Sequence, residues 1–158
     1  MKGSSVIGLR RGGPEDLVMV NEIMQQAFDP RYGEAWTPAQ CAGMLSLPGS
    51  WLVLAEIDDE PAGFALVRAT LEDGELLLLA TSPDRRRRGV AATLLRAAMR
   101  EAKERGVVNF HLEVRSGNPA VALYRREGFT RVGIRHNYYR GIHGDQYDAE
   151  TFRNNLKQ

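Results

Sequence analysis

One amphipathic segment, with strand-like sequence on both sides, constrains the fold more than any other feature of the chain. From Val90 to Glu104, apolar side chains recur at helical spacing and charged side chains occupy the opposite side. The apolar stripe consists of Val90, Leu94, Leu95, Ala98, Met99 and Ala102, opposed by Arg96, Arg100, Lys103 and Glu104. Gly106 is a stop signal for such a helix. The pattern therefore predicts a helix that packs one face against a neighbouring layer.

Three short apolar runs precede this helix. They are Trp51–Ile57, Ala62–Ala69 and Leu76–Ala80. The turn sequences Asp58–Pro61 and Glu72–Gly74 separate them. Short apolar runs divided by turn residues predict a meander of antiparallel strands.

The rest of the chain alternates between strand and helix signals. An opening strand is predicted at Val6–Leu9, a helix from Leu17 to Phe28, and a second helix after Thr37, which can cap it with Pro38 in the first turn. Beyond the amphipathic helix, the pattern predicts a strand at Val108–Val114, a helix opened by Asn118-Pro119 and ending near Gly128, a strand at Thr130–Arg135 and a weakly patterned strand near Tyr147–Phe152. The order β-α-α-β-β-β-α-β-α-β-β predicts an α/β (α+β) fold, with a mixed sheet and helices on both faces.

Length and composition predict one domain spanning 1–158, because a chain of 158 residues buries about two-thirds of its unfolded surface. The net charge of +1 favours neither a nucleic-acid binder nor a polyanion mimic. Cys41 is the only cysteine, so an intrachain disulfide is impossible. Met1–Ser4 leads into polar sequence, and no apolar run approaches the ~20 residues that span a membrane. We expect a cytoplasmic protein.

An arginine–glycine turn, Pro83–Ala91, links the third strand run to the amphipathic helix. A helix N-terminus presents unpaired N–H groups and a partial positive charge, and both favour phosphate binding. Arginines add charge-assisted hydrogen bonds, and Gly89 allows close approach of the backbone. A P-loop and a dinucleotide-binding turn are excluded, because their lysine and further glycines are missing. A solvated basic surface remains the alternative interpretation of the arginine run.

The sequence from about Leu76 to Tyr139 resembles the GNAT N-acetyltransferases. The residues that carry the resemblance are Arg86-x-x-Gly89-x-Ala91, Leu112-Glu113-Val114-Arg115 and Ala122–Phe129. With Arg135–Tyr139, the chain looks closest to the ribosomal-protein alanine N-acetyltransferases (RimI type). The resemblance implies a GNAT fold with a mostly antiparallel central sheet, acetyl-CoA as co-substrate and a primary amine as acceptor.

The resemblance also implies where acetyl-CoA binds. The expected contacts are Leu79, Ala80, Thr81, Arg86, Arg87, Arg88, Gly89, Val90, Ala91, Ala92 and Asn118. In the family a backbone N–H on the strand before the arginine turn polarises the thioester, which here indicates Leu79 or Ala80. Asn118 lies one residue nearer to Tyr124 than the family asparagine usually does.

Two side chains match the family's catalytic positions. Glu113 is the expected general base and Tyr124 the expected general acid for the leaving thiolate. An N-terminal amine has a reference pKa of about 8 and a lysine amine about 10.4, so a modest base suits the former better. A solvated strand face for Glu113 and a core position for Tyr124 are the structural alternatives.

The acceptor is expected to meet Tyr138 and Tyr139, in a loop just after a strand. By resemblance these tyrosines bind the first backbone groups of a peptide, and the alternative is structural packing under a long loop. The segment Tyr147–Leu156 is more polar than the family's last strand.

The leading hypothesis is acetylation of the N-terminus of a protein, ribosomal or other. The alternatives are acetylation of a small amine and a non-catalytic acyl-CoA-binding module. We expect no metal, since His111, His136 and His143 lack ligand spacing. No nucleic acid or membrane is expected as a partner, and the chain should be a monomer or weak dimer.

Overall fold

A computed structural model describes residues 6–157, so the polar opening residues Met1–Ser4 lie outside the described part. The strands are β1 (Ile7–Gly12), β2 (Ser50–Ile57), β3 (Glu60–Thr70), β4 (Asp73–Thr81), β5 (Asn109–Arg115), β6 (Thr130–Arg140) and β7 (Gln146–Asn155). The helices are α1 (Leu17–Ala27), α2 (Pro38–Leu45), α3 (Val90–Glu104) and α4 (Ala120–Arg126). This order confirms the predicted one. No helix in this part of the chain is long and apolar enough to cross a membrane.

The strands form one mixed sheet in the order β1-β2-β3-β4-β5-β7-β6. Only β4 and β5 pair in parallel, and the other neighbouring strands pair antiparallel. The stripe of α3 packs on one face with Leu123 and Tyr124 of α4, and α1 with α2 covers part of the other face. The predicted mixed, mostly antiparallel sheet with helices on both faces is confirmed. The prediction that 1–158 is one domain stays a prediction.

A β-bulge in β4 lies where β4 and β5 separate. Leu66 of β3 pairs with Leu78 and the next residue, Val67, pairs with Leu76, so Leu77 is an extra residue in β4. A bulge bends its strand and increases the local twist. The parallel pairing with β5 ends at the same point, with Leu76 opposite Leu112. Beyond it the two strands diverge and a gap opens between them.

The structure corrects the predicted end of β6. The sequence places Asn137-Tyr138-Tyr139 in a loop, whereas the strand continues to Arg140. Arg135 pairs with Ala149 and Tyr139 pairs with Tyr147, so three residues of β6 bulge opposite Asp148 alone. Because the bulge interrupts the two-residue alternation, the pattern did not reveal the continuing strand.

The bulge has a local cause in Asn137 and Asp148. Asn137 has a φ of 55°, in the left-handed region that asparagine tolerates better than most residues. Asp148 Oδ1 accepts a 2.9 Å hydrogen bond from the Asn137 N–H, and Oδ2 lies 3.3 Å from His136 Nδ1. The carboxylate therefore takes up the backbone donor that the irregular strand leaves unpaired.

Residues 29–36, which we call the clasp, connect α1 to α2 and pack against the turn between β6 and β7. The Ile142 N–H donates to the Pro30 carbonyl oxygen over 3.1 Å. Gly33 has a φ of +68°, and a β-carbon there would overlap the carbonyl oxygen of Arg140. A β-carbon on Gly141 would likewise overlap the carbonyl oxygen of Arg31. Two glycines thus allow the clasp and the β6–β7 turn to meet backbone to backbone.

Gly33→Ala is expected to lower the free energy of unfolding by at least about 2 kcal/mol, because left-handed strain adds to a backbone clash. Urea denaturation followed by circular dichroism measures the change. The matched control is Gly43→Ala in α2, where a β-carbon would meet nothing within 4 Å. That variant should be up to about 1 kcal/mol more stable, because alanine favours a helix interior over glycine. Equal stability of the two variants would contradict the packing of the clasp.

Candidate functional site

A cavity of about 630 Å³ fills the gap between β4 and β5. Its walls are the second half of β4, the first turn of α3, the end of β5 and the start of α4. The clasp and the bulge of β6 border it on the face that α1 and α2 leave partly open. The divergence of two parallel strands therefore brings together residues from distant parts of the chain.

The start of α3 presents backbone donors to this cavity. Gly89, the residue before the helix, has a φ of 79° and makes no side-chain cap. The N–H of Thr93 makes the first helical bond, to the Gly89 carbonyl oxygen at 3.0 Å. The preceding residues of the first turn, 90–92, line the cavity and have no intrahelical acceptor for their N–H groups. This is the local structure that the sequence predicts for an anion site.

The structure separates the four arginines of the turn. Arg86 and Arg87 line the cavity, whereas Arg85 and Arg88 do not. Arg86 Nη2 donates to the Ala27 carbonyl oxygen at the end of α1, over 3.2 Å. Arg87 has a φ of 65°, so it shares the left-handed backbone of Gly89. The predicted set Arg86–Arg88 thus has two members at the cavity, and Arg88 is exposed beside it.

The backbone of β4 supplies a further donor at the gap. The Ser82 N–H donates to the Ala62 carbonyl oxygen of β3 at 2.8 Å. Because bonding directions alternate along an antiparallel strand, the N–H of Ala80 also points to β3, and those of Leu79 and Thr81 point to the opposite edge. At that edge β5 has already diverged. Of the predicted pair Leu79 and Ala80, the geometry favours Leu79.

Glu113 extends from β5 into the cavity. Its side chain is 16% exposed, and its Oε1 lies 2.8 Å from Arg135 Nε. Burial raises the pKa of Tyr138, and the charge of Glu113 and a hydrogen bond to Glu113 are the next causes. The solvated strand face considered for Glu113 does not describe this side chain.

Tyr124 is a core residue that also lines the cavity. Its ring packs edge-on against Phe129, with the centroids 6.0 Å apart. Burial, followed by the negative charge of Glu34, raises the pKa of the Tyr124 phenol. The phenol therefore stays protonated across the physiological pH range.

Both members of the tyrosine pair reach the cavity. In a regular strand Tyr138 and Tyr139 would point to opposite faces, but the bulge of β6 changes this alternation. Their rings meet edge to face, with the centroids 5.0 Å apart. Burial raises the pKa of Tyr139, and the negative charge of Glu34 is the next cause.

Sequence reasoning missed an ionic group on the clasp. Glu34 and Arg115 have side chains that are each 10% exposed, and Glu34 Oε1 lies 3.3 Å from Arg115 Nε. The Arg115 guanidinium lies 3.6 Å from the centroid of the Tyr32 ring. Asn118 Nδ2 donates to Glu34 Oε2 at 2.9 Å. No local pattern links residues this far apart in the chain.

Asn118 lies at the cavity, but its side chain already has two partners in the protein. Besides the bond to Glu34, its Oδ1 accepts the Ala120 N–H at 2.8 Å. The asparagine oxygen therefore accepts the N–H of the first residue of α4, but the residue before the helix is Pro119 and not the predicted Asn118. Its predicted contact with a co-substrate stays a prediction.

Two further side chains at the cavity, Glu75 and Trp36, are not among the predicted site residues. Glu75 lies on β4, next to His111 of β5, and lines the cavity. It keeps exposed surface, but crowding by neighbouring atoms removes hydration and raises its pKa, with the charge of Glu113 as the second cause. Trp36 borders the cavity as well. Among residues 6–157, no cluster of three or more histidine, cysteine or acidic side chains could hold a metal ion.

Comparisons with known proteins agree with this architecture. The sequence model of the acetyltransferase (GNAT) family matches residues 17–129. A [ribosomal protein bS18]-alanine N-acetyltransferase of Salmonella typhimurium is 41% identical over 90 residues, which are 56% of this chain and 61% of the relative. A Bacillus subtilis protein provisionally assigned the same name is 32% identical over 127 residues, 79% of this chain and 82% of the relative.

Solved structures extend the similarity to nearly the whole chain. The crystal structure of the ribosomal-protein-S18-alanine N-acetyltransferase from Escherichia coli superposes with a TM-score of 0.85 at 28% identity. The match covers 96% of this chain and 94% of that one. In sequence, the chain spans 61% and 53% of the first two curated relatives that it matches. The predicted fold class and the resemblance to these acetyltransferases are confirmed.

Proposed function

The chain belongs to the GNAT family of acetyltransferases, and on this premise we propose that it acetylates the N-terminal amine of a protein, with acetyl-CoA as donor. The observation that carries the proposal is one continuous cavity, which runs from the backbone donors of α3, past Tyr124 and Glu113, to the tyrosine pair. The name of the similar Salmonella protein indicates the acceptor class, an N-terminal alanine of a ribosomal protein such as bS18.

The residues present fit the phosphates and the thioester of acetyl-CoA. The first turn of α3 has open N–H groups and no side-chain cap, and Arg86 and Arg87 lie beside it. This combination binds a pyrophosphate through backbone donors and charge-assisted hydrogen bonds. When bound, acetyl-CoA supplies an activated acetyl group. The Leu79 N–H, which points to the open edge of β4, would donate to the thioester carbonyl oxygen.

Glu113 and Tyr124 are proposed to move the two protons of the transfer. The neutral amine of the acceptor attacks the carbonyl carbon, the C–S bond breaks, and the amide C–N bond forms. Glu113 accepts the proton that the amine loses, and Tyr124 donates a proton to the leaving thiolate. A carboxylate has about four acceptor directions, so Glu113 can bond Arg135 and still receive a proton.

The acceptor side fits an extended peptide. The bulge of β6 presents two phenols, Tyr138 and Tyr139, at the cavity wall. Phenols both donate and accept, so they match the N–H and C=O groups of a peptide's first residue. A free α-amine, with a reference pKa of about 8, is partly neutral at pH 7 and needs only a modest base.

The acceptor class is tested by the release of CoA from acetyl-CoA in the presence of defined amines. A short peptide beginning with alanine should be acetylated, and the same peptide with a blocked N-terminus should not react even if it contains lysine. Mass spectrometry locates the added acetyl group. Turnover with small amines alone would contradict the proposed acceptor class.

Glu113→Gln is expected to lower kcat by about 10²- to 10⁴-fold, because it removes the base. The KM for acetyl-CoA should stay nearly unchanged. The matched control is Glu150→Gln on β7, since Glu150 is also paired with an arginine, Arg131, at 3.4 Å. Steady-state kinetics with the alanine peptide compares the two variants. An unchanged kcat in Glu113→Gln would remove this residue from the mechanism.

Arg87→Gln is expected to raise the KM for acetyl-CoA about five- to tenfold, because it removes roughly one charge-assisted hydrogen bond at an exposed site. Arg88→Gln is the control, because Arg88 follows Arg87 in the chain and does not line the cavity. Initial rates over a range of acetyl-CoA concentrations give both constants. Equal KM values for the two variants would assign the arginines to a solvated surface.

A further inference from the structure

Glu34 extends from the clasp into the cavity, where its two carboxylate oxygens contact two different elements. Oε1 lies 3.3 Å from Arg115 Nε, at the end of β5. Oε2 accepts a 2.9 Å hydrogen bond from Asn118 Nδ2, just before α4. With only 10% of its side chain exposed, this carboxylate is shielded from competing water. It therefore ties the clasp to β5 and to α4 at one point.

The link to α4 leads directly to the proposed acid. Asn118 bonds Glu34 through Nδ2 and the Ala120 N–H through Oδ1, the latter at 2.8 Å. Tyr124 lies four residues after Ala120, about one helical turn further along α4. The orientation of the Asn118 side chain thus sets where α4 begins, and a shift there displaces the phenol.

The link to β5 leads to the proposed base. Arg115 follows Glu113 by two residues, so their side chains lie on the same face of the strand. The guanidinium stacks on the Tyr32 ring of the clasp at 3.6 Å and pairs with Glu34. These contacts fix the end of β5 after its pairing with β4 has stopped.

A second general base is the other role open to a carboxylate at this place. The two oxygens of Glu34 face Arg115 at 3.3 Å and Asn118 at 2.9 Å, so this carboxylate belongs to an ionic group that joins the clasp, β5 and the start of α4. Glu113, by contrast, pairs with an arginine whose side chain is 62% exposed and lies on the acceptor side. The contacts of Glu34 therefore fit a support for other residues better than a site of proton transfer.

We propose that Glu34 is a positioning residue, which holds Tyr124 in register with Glu113 through Asn118 and Arg115. This inference rests on the proposed function, because it concerns the same acid and base. Burial and then the negative charge of Glu34 raise the pKa of the Tyr124 phenol, which keeps it protonated. The clasp is thereby part of the catalytic arrangement as well as a wall of the acceptor site.

A double-mutant cycle with Tyr124→Phe tests the proposal. Glu34→Ala should lower kcat about tenfold in the wild-type background, with the KM for acetyl-CoA within about twofold. In the Tyr124→Phe background the same change should lower kcat by less than about twofold, because the group that Glu34 positions is gone. Glu34→Gln should recover most of the loss, since its amide oxygen can still accept from Asn118.

Two further variants separate positioning from general loss of structure. Glu127→Ala removes an arginine pair at the other end of α4, where Arg96 lies 2.8 Å away, and should leave kcat within about twofold. Asn118→Ser keeps an oxygen that can cap α4 but is too short to reach Glu34, and it should resemble Glu34→Ala. Asn118→Ser leaves the ion pair of Glu34 and Arg115 in place, so no buried charge loses its partner. This variant therefore replaces Glu34→Ala in the test if Glu34→Ala does not fold. An equal loss of kcat from Glu34→Ala in both backgrounds would overturn the proposal.

Hydrogen exchange provides a readout that does not need activity. In Glu34→Ala the amides of Asn118 and of residues 120–122 should exchange at least about fivefold faster than in the wild type, and in Glu34→Gln they should not. Unchanged exchange in Glu34→Ala would overturn the inference even in an active enzyme. A wild-type protein that releases no CoA with any amine would instead refute the proposed function, and the exchange data would still decide whether Glu34 holds α4.

Discussion

The parallel pairing of β4 and β5 ends after Leu76 and Leu112, and the rest of the site depends on that short pairing. A sheet that stayed paired to the ends of both strands would have no room for a ligand between them. The bulge at Leu77 bends β4 away at this point, and β7 continues to hold β5 on its other side. The backbone groups that pairing would have used become available at the walls of the cavity.

Helix α3, strand β6 and the clasp, each held by its own packing contacts, meet at this gap. The buried stripe of α3 fixes the first turn of that helix at one end of the cavity. At the other end, the bulge of β6 brings two tyrosines to one wall, and the clasp reaches across to the β6–β7 turn. The first turn of α3 therefore defines one end of the site, and the bulge of β6 with the two glycine contacts defines the other. Regular strands and loops of the same composition would not produce it.

The sequence predicted the positions of Glu113 and Tyr124 in the fold better than the positions of Tyr138 and Tyr139. Glu113 and Tyr124 lie in strongly patterned elements, β5 and α4, so their places follow from periodicity and from the family motif. Tyr138 and Tyr139 line the cavity, but they lie in a strand and not in the predicted loop. Their placement depends on an Asp148 hydrogen bond from the paired strand, and no local pattern reports such a bond.

The sequence by itself determined the order of the elements, the amphipathic face of α3 and the phosphate-type turn, because each depends on residues a few positions apart. The tertiary structure decided, through the register of β3 and β4, to which edge of β4 each backbone N–H points. It likewise decided which arginines face the cavity, and it brought Glu34 to Asn118 across 84 positions of the chain. Contacts of that range arise only when the sheet and its helices have packed, since only packing determines which distant residues meet.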